Sequence, residues 1–343
     1  MHSRRGLTLI EVVTVVAVIA ILLGILIPAI QQSREEARRT QCGYHLKSWG
    51  LALAGYHETW GEFPSAAYDR ELQTTKSPLA VLANELEVFP RSHPKILYKG
   101  DLPWYDNAPE LASYVIPDLL CPTALHPPVI TSEAIARLKV PVGSEFATSD
   151  YLLSKGPNDS WCIPEGPHKY GPIDDKQLGL FELNRRVKLK EITDGTSQTI
   201  AMGEGATGPR WKIMNSKPSN PHLSAMQPDV LDPHAYWICP RINTTNDRAT
   251  YQIVTASIYA TTAILMNEPL ITETLADMAA LDDCRSTLKG GPHRLGGFRS
   301  DHEAGGMFLF ADGSVHFLHQ DLDPALYRAF STIRGGESIY FGR

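Results

Sequence analysis

The chain has 343 residues, 43% hydrophobic and 20% charged, with a net charge of −6. This is enough apolar material for a packed core, which argues against disorder along the whole chain, and the length suits about two structural units. No basic patch stands out beyond the segment from Arg34 to Arg39, so nucleic acid is not an expected partner.

The amino terminus carries the strongest signal. Residues 1–6, Met1-His2-Ser3-Arg4-Arg5-Gly6, are short and basic, and an apolar run follows from Leu7 to Ile30, broken only by Thr8, Glu11 and Thr14. About twenty apolar residues in a helix cross a bilayer core of roughly 30 Å. Arg4 and Arg5 hold the short end in the cytoplasm, which puts the rest of the chain outside, in the periplasm or beyond. A secretory signal would need a small-x-small cleavage site after the run, and Pro28-Ala29-Ile30-Gln31-Gln32 is a poor one. Ser3-Arg4-Arg5-Gly6-Leu7 touches the twin-arginine pattern only weakly, and neither that signal nor a plain anchor explains Glu11. A carboxylate inside an apolar run costs on the order of several kcal/mol unless paired or protonated, so it points to a function. A prepilin-type leader, cut between Gly6 and Leu7, accounts for all of these features together.

The helix is expected to continue beyond the membrane, over 31–60. Gln31 to Arg39 is polar all round and suits solvent or a filament neighbour. Cys42, Leu46, Trp49, Leu53, Tyr56 and Trp60 then recur at steps of three and four, the spacing of one helical face, which should pack on a sheet. Pro28 should kink the helix, because its ring clashes with the preceding turn.

Residues 61–343 form the exported domain. A helix is predicted over 77–89, a short helix or strand over 112–120, and a short helix over 130–138. Residues 155–178 and 214–234 are rich in Pro, Gly, Asn and Asp and read as loops. The stretch from Leu189 to Glu204 ends in a strand. Asp323-Pro324 opens a helix with a capping residue and a proline at the first position; Gly335 should close it, and Ser338 to Phe341 is a last strand. Met307 to Leu318 places two apolar runs around Asp312-Gly313, the strongest short hairpin signal. A two-residue type I′ turn would pair Phe310 with Val315 and Phe308 with Phe317, and bury all four on one face.

Two resemblances follow from these residues. Arg4-Arg5-Gly6-Leu7-Thr8-Leu9-Ile10-Glu11-Val12-Val13 resembles the amino terminus of type IV pilins and type II secretion pseudopilins. That resemblance implies cleavage by a prepilin peptidase after Gly6, methylation of Leu7, a glutamate at the fifth mature position, which is Glu11, and a proline at the twenty-second, which is Pro28. The family's first mature residue is normally Phe, whereas this chain has Leu7. His302 followed after nine residues by Asp312-Gly313 is similar to the H-x9-DG signature of the large prepilin-like proteins of the DUF1559 family. Arg39-Thr40-Gln41-Cys42, Gly61-Glu62-Phe63-Pro64, Leu120-Cys121-Pro122, Ile192-Thr193-Asp194-Gly195-Thr196-Ser197, Gly203-Glu204 and Gly335-Gly336-Glu337 agree in order along the chain. Residues 206–290 carry no matching motif and read as a loop-rich insertion. This resemblance implies architecture and export, not chemistry.

The expected fold is therefore α+β, a long pilin-like helix packed on a mainly antiparallel sheet. Of five cysteines, none forms Cys-x-x-Cys. Cys42 lies on the inward stripe and Cys121 ends a segment that should return to the helix, so a Cys42–Cys121 disulfide is expected on the oxidising side of the membrane. Asp194, Glu204, His302 and Asp312 invite a site, but Asp-Gly at 194 and 312 is turn chemistry and a histidine beside Gly305-Gly306 can simply hydrogen-bond a loop, so a structural role is expected for them. His293, His302, His316 and His319 do not share a spacing that suits one metal; His316 and His319 point to opposite faces of a strand. Asp321-x-Asp323 lacks a full calcium loop. No nucleophile elbow, P-loop or dinucleotide fingerprint occurs, so neither enzyme activity nor a cofactor is expected. The expected role is a minor pilin or pseudopilin whose partners are the prepilin peptidase, the inner membrane and other such subunits. The alternative is a prepilin-anchored envelope domain that binds a ligand such as carbohydrate.

Overall fold

A computed structural model describes residues 8–65, 78–86, 109–131, 145–158, 173–182, 185–208, 210–211, 214–215, 235–238, 258–268, 271–272, 293–294 and 296–337. Gly6 and Leu7, the remainder of the segment expected as helix over 130–138, and the strand expected at 338–341 lie outside these residues.

Helix α1 spans Leu9–Trp60 without interruption, 52 residues, and Pro28 lies within it. At 1.5 Å per residue it is about 78 Å long. Its start is fixed by a capping box: Glu11 N donates to Thr8 Oγ1, and Thr8 N donates to Glu11 Oε2 at 2.8 Å. Gly61, at φ 71°, closes it with its amide on the His57 carbonyl. The two halves of α1 have opposite surroundings. Every residue from Thr8 to Arg34 is exposed, whereas Cys42, Leu46, Trp49, Ala52, Leu53 and Tyr56 are buried. The expected stripe forms, except that its last member, Trp60, stays exposed and only leans on Tyr56, with ring centroids 6.1 Å apart. Full burial of Leu46, Trp49, Leu53 and Tyr56 stabilises the domain by about 1.5–3 kcal/mol each.

Helix α2 (Pro78–Glu85) lies against α1, inside the interval predicted. Residues 112–120 are two 3₁₀ turns, Pro109–Ser113 and Pro117–Leu119, rather than one helix or strand. Strands β1 (Val129–Thr131) and β2 (Glu145–Ala147) form an antiparallel pair. Thus the start of the segment predicted as helix over 130–138 is strand; Ile130 pairs with Phe146. The main sheet contains β3 (Tyr151–Ser154), β4 (Ile200–Glu204), β6 (Tyr259–Ala260), β9 (Gly305–Phe310) and β10 (Val315–His319) in the order β10-β9-β4-β3-β6. All its pairings are antiparallel except β3–β6. A separate small sheet joins β5 (Met214–Asn215), β7 (Ile271–Thr272) and β8 (His293–Arg294). The stretch read as an insertion, 206–290, supplies β6 to the main sheet and Trp237 to the core, whose Nε1 donates to the Tyr114 carbonyl at 2.9 Å.

Alternation along the strands buries both faces of the main sheet. Tyr151 and Leu153 of β3 and Leu309 of β9 join the core under α1. Leu152, Phe308 and Phe310 point the other way, into a second cluster with Phe298, Tyr327 and Phe330. Tyr327 lies within α3 (Pro324–Ala329) and Phe330 caps its end, while the N-cap Asp323 accepts from the amides of Ala325 and Leu326. This helix ends at Ala329, well before the expected Gly335. Beyond it the backbone turns to bond with the strand-bearing loop: Ile200 N donates to the Phe330 carbonyl at 2.6 Å and Thr193 N to that of Ile333 at 2.8 Å.

The hairpin forms, but its register differs from the expected one. Val315 pairs with Leu309 and His316 with Phe308. Gly313 N donates to the Phe310 carbonyl and Phe310 N to that of Ser314. Gly313 alone takes a positive φ, 80°, which makes a one-residue-longer loop with a bulge instead of the two-residue turn. Ala311 and Asp312 spend their amides on the carbonyls of Thr199 and Thr196, which selects this loop. A one-residue shift flips side chains. Val315 and Phe317 therefore face α1, Phe308 and Phe310 face α3, and Phe317 is half-buried under the Arg39 guanidinium at 4.6 Å.

Asp194 latches two loops of the domain. Its Oδ2 accepts from Gly335 N at 2.6 Å and Thr332 Oγ1 at 3.0 Å, and its Oδ1 from Gly336 N at 3.0 Å.

Two stability predictions follow from the bulge and the latch. Gly313→Ala should lower stability by about 1–2 kcal/mol, the cost of a Cβ in the left-handed region. Asp194→Ala should cost about 2 kcal/mol, since it strips a charged acceptor from three donors, and Asp194→Asn should fall between it and wild type. Urea denaturation of the detergent-solubilised chain, followed by tryptophan fluorescence, reads both; unchanged midpoints would contradict these roles.

Candidate functional site

The residues with the most unusual surroundings meet under α1, beside the end of β4 and the turn before β9. Cys42 lies on the inward stripe of α1. Cys121 follows the second 3₁₀ turn, and Asp150 fixes its backbone: Cys121 N donates to Asp150 Oδ2 at 2.8 Å, and His126 Nε2 lies 2.7 Å from Asp150 Oδ1. Glu204 ends β4, two residues beyond Met202, so strand alternation points it at α1 as well. His302 sits in the turn before β9, its amide bonded to Ser300 Oγ at 3.1 Å.

Four side-chain atoms, Cys42 Sγ, Cys121 Sγ, a Glu204 carboxylate oxygen and a His302 ring nitrogen, all lie within 4.8 Å of one another. His302 Nε2 is 3.3 Å from Cys42 Sγ, 3.6 Å from Cys121 Sγ and 3.3 Å from Glu204 Oε1. Its other nitrogen, Nδ1, donates to Glu35 Oε1 at 2.6 Å, and Glu35 is held in turn by Arg38 at 2.6 Å. Cys121 Sγ is also 2.9 Å from Thr123 Oγ1. Cys42, Glu204 and His302 are buried and Cys121 is half-buried.

The charges in this cluster shift one another. The bond toward the Cys121 sulfur, with burial, pushes the Cys42 thiol far up. Cys121, which accepts that bond, is brought down to about 7 although burial opposes it. Burial disfavours the charged imidazole of His302, but the Cys121 sulfur and the Glu204 carboxylate outweigh it and raise it to about 11. The arrangement can share protons internally, or offer two sulfurs, a nitrogen and a carboxylate oxygen to a cation.

The structure thus joins two expectations that the sequence kept apart. The sulfurs of Cys42 and Cys121 come together as the disulfide reading required, yet both cysteines are free thiols in this structure. His302 and Glu204 complete the group. Asp194 and Asp312 do not: the first is the loop latch, and the second caps its own turn by accepting from Ser314 N at 2.8 Å. His316 contacts Ser314 Oγ, His319 contacts Asp321, and Asp323 is spent on the α3 cap. The side chain of His293 is outside those described. Glu35 belongs to the polar segment 31–39, which hides it in the sequence, although Glu35, Cys42, Trp49 and Tyr56 recur every seven residues and so share one helical face.

Comparison with known proteins adds two matches. A prokaryotic N-terminal methylation motif covers residues 1–27, and the family described as "Protein of unknown function (DUF1559)" covers residues 31–325. Neither a curated protein nor a solved structure matches the chain. The methylation motif, with an apolar helix long enough to cross a membrane, makes this a prepilin-type, type IV pilin-like protein with a membrane anchor. The second match spans most of the chain: the protein belongs to the DUF1559 family.

Proposed function

We propose that the chain is a minor pilin or pseudopilin of a type IV pilus or type II-like secretion system, a structural subunit rather than an enzyme. A prepilin peptidase cuts it between Gly6 and Leu7, Arg4 and Arg5 keep the leader in the cytoplasm, and the domain from residue 61 lies in the periplasm or outside the cell. The observation that carries this reading is the division of α1. Its first half is apolar and exposed along its whole circumference, while the second half is built into the domain. A bare apolar helix needs lipid or neighbouring helices around it, and a bundle of such helices is the core of a pilus.

Glu11 gives assembly its chemical handle. Among the described residues the bonds to its carboxylate come from Thr8, both to Oε2. In a bundle the carboxylate meets the α-amino group of a neighbour's Leu7, which pairs two charges in an apolar setting and sets the axial register. Capping and assembly are separable, because glutamine also completes a capping box.

Mass spectrometry of protein extracted from membranes should find Leu7 at the amino terminus, methylated; an intact Met1 or a cut beyond Ile30 would refute the processing. Glu11→Gln, which keeps the cap, and Glu11→Val, which loses it, should both be cleaved and exported normally, yet both should enter filaments or crosslinked pilin ladders several-fold less than wild type. If Glu11→Gln assembles like wild type, the carboxylate serves only as a cap. If the wild type never joins such assemblies, the chain is instead a tethered domain that binds an envelope ligand such as carbohydrate.

A further inference from the structure

His302 Nε2 faces three electron-rich atoms but can donate a proton to only one of them at a time. Glu204 Oε1 shows the consequence: it is buried, on a side chain only 2% exposed, and among the described residues it accepts no hydrogen bond of good geometry, its near neighbour being His302 Nε2 at 3.3 Å. The other carboxylate oxygen, Oε2, is anchored by the amide of Met307 at 3.2 Å. A buried carboxylate oxygen short of hydrogen bonds, converging with two sulfurs and an imidazole nitrogen within 4.8 Å, makes a place that a cation can fill.

The spacings fit one. Zinc bonds of roughly 2.3 Å to sulfur and 2.0–2.2 Å to nitrogen and oxygen, in a tetrahedron, put nitrogen–sulfur edges at about 3.6 Å and the nitrogen–oxygen edge at about 3.4 Å. The corresponding distances here are 3.3 and 3.6 Å to the sulfurs and 3.3 Å to Glu204. Glu35 on Nδ1 of His302 is the partner a ligating histidine commonly has: it orients the ring and leaves Nε2 for the metal.

We propose that Cys42, Cys121, Glu204 and His302 together bind one divalent zinc-class ion in a closed, structural site. Two thiolates, an imidazole and a carboxylate suit zinc and not calcium or magnesium, which take oxygen ligands. Four protein ligands leave no position for substrate. On loading, the protons of the thiols and of His302 Nε2 leave to solvent. The filled site carries one net negative charge beside the Glu35 carboxylate, and Arg38 and Arg39, at 2.6 and 3.6 Å from Glu35, offset it. The ion would tie α1, the Cys121 loop, the end of β4 and the turn before β9 at a single point. The competing occupant of the same space is a Cys42–Cys121 disulfide, which would remove both sulfur ligands.

The test uses the full chain, purified from membranes in detergent without chelators or a metal-affinity step. Elemental mass spectrometry should find about one zinc per chain, as a closed four-ligand site demands. Replacement by cobalt(II) should give thiolate-to-cobalt charge-transfer bands and the intense visible bands of a tetrahedral centre, a readout on the wild type that needs no variant to fold. Chelation should lower the melting temperature, and zinc should restore it. His302→Gln and Glu204→Gln should reduce retained metal at least several-fold. The proposal is overturned if the native chain yields a Cys42–Cys121 disulfide peptide in a non-reduced map. It is equally overturned if free thiols persist with zinc supplied and no metal is retained, or if the cobalt spectrum lacks thiolate charge transfer.

Discussion

Helix α1 must satisfy two environments with one continuous backbone, and the domain is arranged around that demand. Its second half lies flat on β9 and β10, with Cys42, Leu46, Trp49, Leu53 and Tyr56 forming the wall on which the first core is built. The approach is close: a Cβ at Gly50 would stand 2.8 Å from Leu309 Cδ1 and 3.4 Å from Gly313 Cα, so even an alanine there requires the Leu309 side chain to move. The rest of the helix, from Thr8 to Arg34, contributes nothing to that core. Anchor and domain are therefore mechanically one piece, and a pull on the anchor reaches the sheet directly through the helix.

With α1 on one side, the sheet needs a cover on the other. Phe298, Tyr327 and Phe330 provide it, and T-shaped contacts such as Phe310 with Phe330, 5.8 Å between centroids, fill that layer. A sheet buried on both faces has no solvated side, so polar groups that enter it must be paired. Lys155 and Glu182, both fully buried, meet at 3.1 Å, and Asn158 bonds to each of them. Burial raises the Glu182 carboxyl, while Lys155 pulls it down. Breaking one partner of such a pair leaves an uncompensated charge inside, at a cost of roughly 3–5 kcal/mol.

The cluster of Cys42, Cys121, Glu204 and His302 sits close to where α1 stops being bare. Glu35, the residue that holds His302, directly follows Arg34, the last of the continuous run of exposed residues. The point where the helix enters the domain is thus fastened by polar and sulfur groups, and the stretch after it by apolar packing. Fastening at the entry fixes the direction in which the helix leaves the domain, which in a subunit of an assembly sets how neighbouring domains are placed.

Local physics determined much of this protein in advance. The 3.6-residue period marked the buried face of α1, the apolar run around Glu11 marked the anchor, and Asp323-Pro324 and Asp312-Gly313 marked a helix start and a hairpin, because caps, turns and amphipathic faces depend on neighbours within a few residues. Tertiary structure decided the rest. The hairpin register depended on whether Ala311 and Asp312 found carbonyls at Thr199 and Thr196, more than a hundred residues away, and those bonds put Phe308 and Phe317 on opposite faces. The end of α3 was set by the carbonyls of Phe330 and Ile333, which accept from Ile200 N at the start of β4 and from Thr193 N before it, not by Gly335. The site shows the limit most clearly: Cys42, Cys121, Glu204 and His302 could each be noticed in the sequence, but 260 residues separate Cys42 from His302. Only the packing of α1 on the sheet brings them together, because side-chain convergence over such separations is fixed by the fold and by no local rule.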